Sequence, residues 1–474
     1  MEVRPAGNRL DRGTLLALVA MGLGVFVIAN DFTALSVAIP EIESDLDANV
    51  DRAQWVINGY AVVFGVLIVT GGRLADQFGR RRIFMIGASV FAVFSLLGGL
   101  APNIDLLIAC RALMGIGGAM MWPAVLGMTY AILPEERASL AGGLILGVAG
   151  LGNAVGPLLG GALTDGLSWR WVFFLNVPIA AFAMFVTKRN IPAEAGEGAE
   201  AGIDYQGIAT LSAGVVAILV GLDQGTDDGY GSPAIVALLV VGVLLLGSFV
   251  LVERGQGANA LVPPDVMRQQ QFIVACAVVL LMSAIFFAAL LYLPQFMEKE
   301  LGFSAVEAGA GLLPVMLVFA VMSFSSGALY DKFGPRTVVS TGAAFLGAGI
   351  FMLSFLDAGW DYIALVPGMV VLGLGIGLFY SSITTAAVTS LDPSRSSLAG
   401  GIVYMCQVAG GALGLGMNTA IVLSQSDLPE GIRLAFRVDA ALAVVGFLVA
   451  LAYIGRTEPL THRHHLRSHH RAHA

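Results

Sequence analysis

Two charged side chains of opposite sign lie inside long apolar runs of the sequence, Asp31 in GVFVIANDFTALSVAIP and Arg111 in LIACRALMGIGGAMMWPA. A charge at membrane depth is costly to bury, so it marks a functional candidate. Burial disfavours the charged carboxylate, whereas a nearby guanidinium favours it. A change in the surroundings of the carboxylate would therefore make it take up or release a proton. The chemistry open to this pair is reversible protonation.

The depth of the two groups follows from helix geometry. At about 1.5 Å per residue, Asp31 lies roughly 20 Å from the start of its run. Counted from the far end of its own run, Arg111 lies at nearly the same depth as Asp31 in a hydrocarbon core of about 30 Å. Asp31 is the only carboxylate that we predict at this depth. We expect the pair to face each other or a shared aqueous cavity; a static ion pair that only joins two helices is the alternative.

The chain that carries this pair is too apolar for a water-soluble protein. Hydrophobic residues make up 57% of its 474 residues, and charged residues make up 12%. Water-soluble domains contain roughly a quarter of charged residues. The excess is concentrated in runs of about 20 residues, the length that crosses a bilayer as a helix. We predict an all-α, multi-pass protein of the cell (cytoplasmic) membrane.

Fourteen such runs can be counted, and most Arg and Lys residues fall in the loops that are cytoplasmic if the chain starts inside. This charge bias is typical of cytoplasmic loops, so it predicts fourteen spans with both termini in the cytoplasm. The predicted spans are 14–38, 54–73, 83–101, 104–131, 140–163, 171–187, 206–224, 233–252, 272–295, 307–328, 337–356, 361–384, 398–424 and 436–455.

The sequence repeats itself at a nearly constant offset. RASLAGGL at 137–144 recurs as RSSLAGGI at 395–402, and GRLADQFGRR at 72–81 recurs more weakly as GALYDKFGPR at 327–336. Duplicated halves are typical of secondary transporters. We predict two six-helix bundles with two additional helices between them. The predicted divisions are 1–190 for the first bundle, 191–270 for a linker and inserted hairpin, 271–456 for the second bundle, and 457–474 for a cytoplasmic His/Arg-rich tail.

The loop GRLADQFGRRR at 72–82 gathers charges between two apolar runs. Its glycines permit tight turns and close helix approach, and Asp76 can cap free amide groups and pair with an arginine. We expect an ion-paired lock that holds one conformation of the two bundles; a loop that only sets the membrane orientation is the alternative. The predicted lock residues are Gly72, Arg73, Asp76, Gly79, Arg80 and Arg81, with Asp331 and Arg336 in the second copy.

The fifth run contains GLGNAVGPLLGG at 150–161, in which small residues recur every four positions around a proline. Such a face lets another helix pack closely and pivot. The residues of this pattern are Gly152, Gly156, Pro157, Gly160 and Gly161.

Aromatic, polarisable and polar residues within the runs are candidates for a substrate cavity, and packing between helices is at least as good an explanation for each. These candidates are Asn30, Thr33, Asn58, Tyr60, Met121, Trp122, Tyr292, Gln295, Tyr380, Tyr404 and Gln407.

These stretches resemble the major facilitator superfamily. The loop at 72–82 is similar to the family signature Gly-x-Leu-Ala-Asp-Arg-x-Gly-Arg-Arg, with Gln77 in place of a basic residue. The glycine pattern of the fifth run resembles the antiporter motif of the family's exporters. SWRWVFFLNVPIA at 168–180, IDYQGIATL at 203–211 and YLPQFMEKELGFSAVEAGAGLLP at 292–314 resemble the fourteen-span drug:proton antiporter branch. The resemblance implies that Asp31 exchanges a proton while Arg111 tunes its proton affinity.

The predicted function is proton-coupled export of lipophilic small molecules, neutral or singly cationic, by alternating access. A dedicated exporter of one metabolite, antibiotic or lipid is the alternative within transport, and a non-transporting membrane receptor is another. The sequence lacks a phosphate-binding loop of the Gly-x-x-x-x-Gly-Lys-Ser/Thr type, so an ion gradient is the expected energy source. We expect a monomer in the lipid bilayer whose partners are substrate and protons, with no enzyme activity, catalytic residue, metal, cofactor or nucleic-acid partner.

Overall fold

The structure is a computed structural model that describes residues 12–134, 137–193, 202–229, 231–357, 359–425 and 427–455. These residues are helical or lie in turns, and none of them forms a β-strand. The all-α prediction is therefore confirmed for the described part of the chain. The predicted tail at 457–474 lies outside the described residues.

The α-helices are α1 (Arg12–Asp45), α2 (Val50–Phe78), α3 (Arg80–Gly99), α4 (Ile104–Ile132), α5 (Ala138–Gly166), α6 (Arg170–Asn190), α7 (Tyr205–Asp228), α8 (Pro233–Gln256), α9 (Gln270–Lys299), α10 (Ala305–Gly311), α11 (Leu313–Leu353), α12 (Tyr362–Val388), α13 (Ser396–Leu423) and α14 (Leu428–Tyr453).

Thirteen helical segments of the described chain are long and apolar enough to cross a membrane. One of them, Val306–Leu353, has 48 residues; at about 1.5 Å per residue this is about 72 Å, far more than a hydrocarbon core of about 30 Å requires. Within it, Gly334 adopts φ 79° and ψ 163°, which interrupts the helical geometry. The predicted spans 307–328 and 337–356 fall on either side of Gly334. The count of fourteen spans stays a prediction.

The helices before α7 and the helices after α8 form two sets that meet face to face. In the first set α1 packs on α5, and α4 packs on α2 and α3; in the second, α9 packs on α13 and α11 packs on α12. The sets meet where α2 faces α13 and α5 faces α11. A Cβ atom added to Gly143 of α5 would lie 2.6 Å from the carbonyl oxygen of Ser323. Glycine thus lets the two sets touch through their backbones.

Helices α7 and α8 form a hairpin, and α7 contacts α2 and α13. A Cβ atom on Gly242 of α8 would lie 2.6 Å from Ile218 of α7, so the two helices approach closely. Asp204 caps α7 by accepting a hydrogen bond from the Gly207 N–H at 2.8 Å. Glu253 near the end of α8 accepts hydrogen bonds of 3.2 Å and 3.0 Å from two backbone N–H groups of the following linker. Both buried carboxyl groups hold the same end of the hairpin.

Candidate functional site

Asp31 and Arg111 form a salt bridge that is completely buried. Arg111 Nη1 donates to Asp31 Oδ2, and both side chains are 0% exposed. Arg111 Nε donates to the carbonyl oxygen of Val56 at 2.7 Å. The guanidinium carbon lies 4.4 Å from the centroid of the Tyr60 ring, within cation–π distance. The structure thus brings together the two charges that the sequence singled out.

Glycines of α4 let α2 approach the pair. A Cβ atom on Gly115 would lie 2.8 Å from the carbonyl oxygen of Tyr60, and one on Gly118 would lie 2.7 Å from the Tyr60 hydroxyl. Small residues allow helices in a membrane to pack at short distance. Because these two positions lack side chains, the Tyr60 ring reaches the guanidinium of Arg111.

Asn176 of α6 binds the other oxygen of the carboxylate. Its Nδ2 donates to Asp31 Oδ1 at 3.0 Å and to Ser95 Oγ at 3.2 Å. Ser95 in turn donates to the carbonyl oxygen of Phe173 at 2.8 Å. The sequence analysis did not single out Asn176. The available signal was a lone amide within the sixth apolar run, which does not say which way the side chain points.

A cavity of about 550 Å³ lies between the two sets of helices, with walls from α1, α2, α4, α5, α9, α11 and α13. Part of the wall is aromatic: the Tyr404 ring centroid lies 4.6 Å from that of Trp122 and 5.5 Å from that of Phe64. Among the residues that the structure describes, Glu298 is the only charged side chain on the wall. A cavity of this size and apolar lining is typical of small-molecule sites.

Some of the candidate cavity residues lie on this wall and others do not. The predicted cavity residues on the wall are Thr33, Trp122, Gln295, Tyr404 and Gln407, and Pro157 of the glycine pattern in α5 also lies there. The predicted residues that do not line it are Asn30, Asn58, Tyr60, Met121, Tyr292 and Tyr380. The Tyr292 hydroxyl instead forms a hydrogen bond of 2.8 Å with the Thr419 hydroxyl. The Tyr380 hydroxyl forms one of 3.0 Å with the Ser283 hydroxyl. For these two tyrosines, contact between helices is the observed role.

Asp31 does not line the cavity, although it lies on a helix that does. Ala29, Phe32, Thr33 and Ser36 are the nearest α1 residues on the wall. Successive helical residues are rotated by about 100°, so the Asp31 side chain leaves α1 on the opposite face. The two charges therefore face each other, and α1 separates them from the cavity in this conformation.

The glycines of α5 press against the same stretch of α1. A Cβ atom on Gly160 would lie 2.1 Å from the carbonyl oxygen of Ala34, and one on Gly156 would lie 1.9 Å from Thr33 Oγ1. One on Gly152 would lie 3.0 Å from a methyl group of α1. Helix α5 thus touches the backbone of α1 next to both the buried carboxylate and the cavity wall.

Asp76 joins the two sets of helices. It accepts hydrogen bonds from the backbone N–H groups of Ser397 at 3.2 Å and Leu398 at 2.8 Å, at the start of α13. Arg80 Nε lies 3.1 Å from the same carboxylate, and Arg80 Nη2 donates to the carbonyl oxygen of Pro393 at 2.6 Å. A helix N-terminus presents free N–H groups and a partial positive charge, which favour a carboxylate. The end of α2 is thereby tied to the start of α13.

The other residues of the first lock copy support this contact. A Cβ atom on Gly72 would lie 2.6 Å from the carbonyl oxygen of Ser397. Gly79 has φ 98°, a conformation that favours glycine. Arg81 donates hydrogen bonds of 2.8 Å and 3.0 Å to two carbonyl oxygens at the end of α6. Arg73 and Asp204 of the hairpin line the same small pocket.

The second copy of the lock differs from the first. Asp331 and Arg336 are exposed, and the structure shows no ion pair for Asp331 among the residues it describes. The helix contact is nevertheless repeated, because a Cβ atom on Gly327 would lie 3.0 Å from the carbonyl oxygen of Ser139 at the start of α5. The two halves therefore share the close helix contact, while the charged contact is made in one half.

The described residues form two packed sets of helices, with a cavity between the sets and a buried ion pair behind the cavity wall. This arrangement is that of a membrane transporter. The chain belongs to the Major Facilitator Superfamily, whose family model matches residues 21–415 and 276–472. Members of this family are transporters rather than enzymes.

Several relatives are similar along most of their length. The chain is 34% identical over 445 residues to the puromycin resistance protein pur8 of Streptomyces alboniger, covering 92% of this chain and 87% of that protein. It is 30% identical over 408 residues to the tetracenomycin C resistance and export protein of Streptomyces glaucescens, covering 86% and 76%. The human organic anion transporter MFSD10 (TETRAN) has a similar fold, with a TM-score of 0.64, 13% identity, and coverage of 92% and 99%.

Adding one methyl group to Gly160 should disturb α1, whereas adding it to Gly161 should not. The new Cβ atom of Gly160→Ala meets a backbone oxygen at 2.1 Å, while that of Gly161→Ala has its nearest neighbour at 3.7 Å. Overpacking of this kind costs about 1–3 kcal/mol. We expect Gly160→Ala to lower the thermal unfolding midpoint in detergent and to reduce transport strongly, and Gly161→Ala to resemble the wild type. Equal effects of the two changes would contradict this packing.

Neutralising Asp76 should open the contact between α2 and α13. Asp76→Asn removes the charge from a carboxylate that accepts two backbone hydrogen bonds. We expect this change to destabilise the conformation in which α2 contacts α13 by about 1–2 kcal/mol. Asp331→Asn is the matched control at the exposed repeat position. Spin labels at Lys188→Cys and Lys332→Cys, in a background without the native cysteines, would report the separation of the two halves. Distances should lengthen for Asp76→Asn alone; unchanged distances in that variant would refute the lock.

Proposed function

We propose that this chain exports lipophilic small molecules in exchange for protons, by alternating exposure of the cavity to the two sides of the membrane. The observation that carries the proposal is the buried salt bridge between Asp31 and Arg111. Asp31 leaves α1 on the face opposite to the one that lines the cavity. Relatives whose names describe resistance and export, such as the tetracenomycin C protein, support the direction of transport.

Protonation of Asp31 would change the bonding of the whole site. A neutral carboxyl group no longer attracts Arg111, and an unpaired buried charge costs about 3–5 kcal/mol. Arg111 Nη2 and Asn176 Oδ1 are buried and have no hydrogen-bond partner among the described residues. Unpaired buried polar atoms favour rearrangements that give them partners. A proton can therefore supply the free-energy difference that moves α1 against α5.

The movement of α1 couples the proton to the substrate. Helix α1 contributes Phe32 and Thr33 to the cavity wall and lies against the glycines of α5. A shift that follows protonation of Asp31 alters both the wall and the packing between α1 and α5. Protonated and ionised forms of the protein then differ in their affinity for substrate, which is the condition for exchange.

The proposed membrane arrangement has fourteen spans, with Gly334 at the loop between the two crossings of α11, and both termini in the cytoplasm. The domains are those predicted from the sequence, two six-helix bundles and an inserted hairpin, in a monomer of the cell membrane. The closed Asp76–α13 contact is then cytoplasmic, and the cavity, near the ends of α1 and α9, faces outward. An external proton favours release of substrate, and its loss to the cytoplasm accompanies loading of the next molecule.

A dedicated exporter of a single natural product is the second candidate. The similarity to the puromycin and tetracenomycin C resistance proteins favours it, since each of those names describes one compound. Both candidates use the same site and mechanism. A panel of chemically unrelated lipophiles that includes these two compounds separates them: broad transport supports multidrug efflux, and transport of one class supports the dedicated exporter.

Removal of the titratable group should uncouple transport from the proton gradient. In proteoliposomes with an imposed pH gradient, we expect Asp31→Asn to lower gradient-driven uptake of a fluorescent lipophile by at least about tenfold, since about 1.4 kcal/mol of lost coupling is one decade. Exchange of labelled for unlabelled substrate without a gradient should persist. Asp357→Asn is the control, because that exposed carboxylate pairs with Arg433 at 3.7 Å on the surface. Wild-type gradient-driven rates in Asp31→Asn would exclude the proposed role.

Glu298 should select for positive charge. A single carboxylate on the wall of a cavity that also presents aromatic rings attracts a monocation through charge, and the rings add cation–π attraction. For Glu298→Gln we expect the KM of a monovalent cationic dye to rise by about five- to tenfold, which corresponds to about 1–1.4 kcal/mol. The KM of a neutral substrate should not change. Glu300→Gln is the neighbouring control, because Glu300 is not on the cavity wall; equal changes for both dyes, or in both variants, would count against charge selection.

A further inference from the structure

A second acid is buried in the other half of the molecule. Asp439 of α14 and Asn418 of α13 are both 0% exposed. Asn418 Nδ2 lies 3.3 Å and 3.1 Å from the two carboxyl oxygens of Asp439. The sequence analysis did not single out Asp439, although it lies inside the last predicted span, 436–455.

No cation compensates Asp439 among the described residues. It forms no salt bridge there, and α13, which carries its partner, contains no Arg, Lys, Asp or Glu. Arg433 pairs with Asp357 and Arg437 is exposed. Helices α9 and α11 also pack against α14. The other charged groups on these three helices lie toward helix ends or near Gly334. The remaining titratable groups on α9 and α13 are thiols and phenols. These groups are Glu430, Glu298, Lys299, Asp331, Lys332, Arg336, Cys276, Cys406, Tyr292 and Tyr404.

The amide partner of Asp439 has an unused acceptor. Asn418 Oδ1 is buried and has no hydrogen-bond partner among the described residues. A protonated carboxyl group can donate to this oxygen while it accepts from Nδ2, which satisfies both side chains reciprocally. An ionised carboxylate would instead be a buried charge opposed by one neutral amide, an unfavourable arrangement. Both features are explained if Asp439 carries a proton in this conformation.

The acid–amide pair of the second half is similar to the one in the first. In the first half the last helix, α6, supplies the amide Asn176 to Asp31 of α1. In the second half the last helix, α14, supplies the acid Asp439 to Asn418 of α13. Each half contains one buried acid–amide pair beside its last helix, and only the first half adds an arginine.

We propose that Asp439 is a second proton-carrying site, so that each half of the transporter exchanges one proton per cycle. The inference rests on the proposed function. In the described conformation the carboxyl group retains its proton. In the alternate conformation its O–H bond breaks, the proton passes to water on the side that then reaches the group, and a proton from the opposite side later restores the acid. A permanently neutral acid that only ties α13 to α14 is the structural alternative.

The number of protons exchanged per substrate molecule distinguishes a proton-carrying Asp439 from a permanently neutral one. In proteoliposomes, the pH gradient that balances a known gradient of a neutral dye substrate gives this ratio for the wild type and for Asp439→Asn, with Asp357→Asn as the control. We expect a fall from about two protons per substrate to about one in Asp439→Asn, with transport still driven by the gradient. An unchanged ratio in a transporting variant would overturn the proposal. A wild type without any gradient-driven transport would instead refute the proposed function.

A spectroscopic measurement keeps the inference testable if Asp439→Asn does not fold. Infrared spectra of the purified wild type at neutral pH should contain the C=O band of a protonated carboxyl group in an apolar site. Asn418→Leu, which removes the amide and leaves the acid, should shift the frequency of this band, since a hydrogen bond to the group is lost. Absence of a protonated-carboxyl band in the wild type at neutral pH would contradict the proposal.

Discussion

The burial of a salt bridge inside the first half of the molecule is the constraint on which the other features depend. Without water, neither Asp31 nor Arg111 is tolerable alone, so each must keep partners. Those partners come from two other helices: a carbonyl oxygen and the Tyr60 ring of α2, and the Asn176 amide of α6. Gly115 and Gly118 of α4 leave the space in which the Tyr60 ring approaches the pair. A change of one proton at Asp31 therefore acts on four helices at once.

Helix α1 is the element that relates this charge chemistry to transport. One face carries the buried carboxylate, another lines the cavity, and a third lies on the glycines of α5. The proton and the substrate need not share a binding site, because a shift of α1 changes the surroundings of Asp31 and the cavity wall together. At the far end of the molecule, the Asp76 carboxylate on the N-terminus of α13 holds the two halves together in the same conformation. The ion pair and the lock thus act on the same equilibrium between conformations.

Some polar residues of these sites were evident from the sequence, and others were not. Asp31 and Arg111 stood out because a charge in an apolar run has few explanations, and Asp76 stood out because its loop repeats. Asn176 and Asp439 were missed because apolar runs that are hydrophobic all round do not reveal which face a polar residue occupies. Glu298 was missed because it lies beyond the end of the predicted span 272–295. The predicted spans 307–328 and 337–356 lie on either side of Gly334, whose φ of 79° and ψ of 163° are not helical, so α11 consists of two helical segments joined at a kink.

The most direct test of coupling through the buried pair is to count the protons that substrate binding displaces. Purified protein is titrated calorimetrically with a lipophilic monocation such as ethidium, in two buffers of equal pH and different heats of ionisation. If ionisation of Asp31 accompanies binding, the apparent enthalpies differ between the buffers in the wild type, and replacing Asp31 by Asn reduces that difference. Equal enthalpies in both buffers for the wild type, across the pH range in which it transports, would contradict the mechanism.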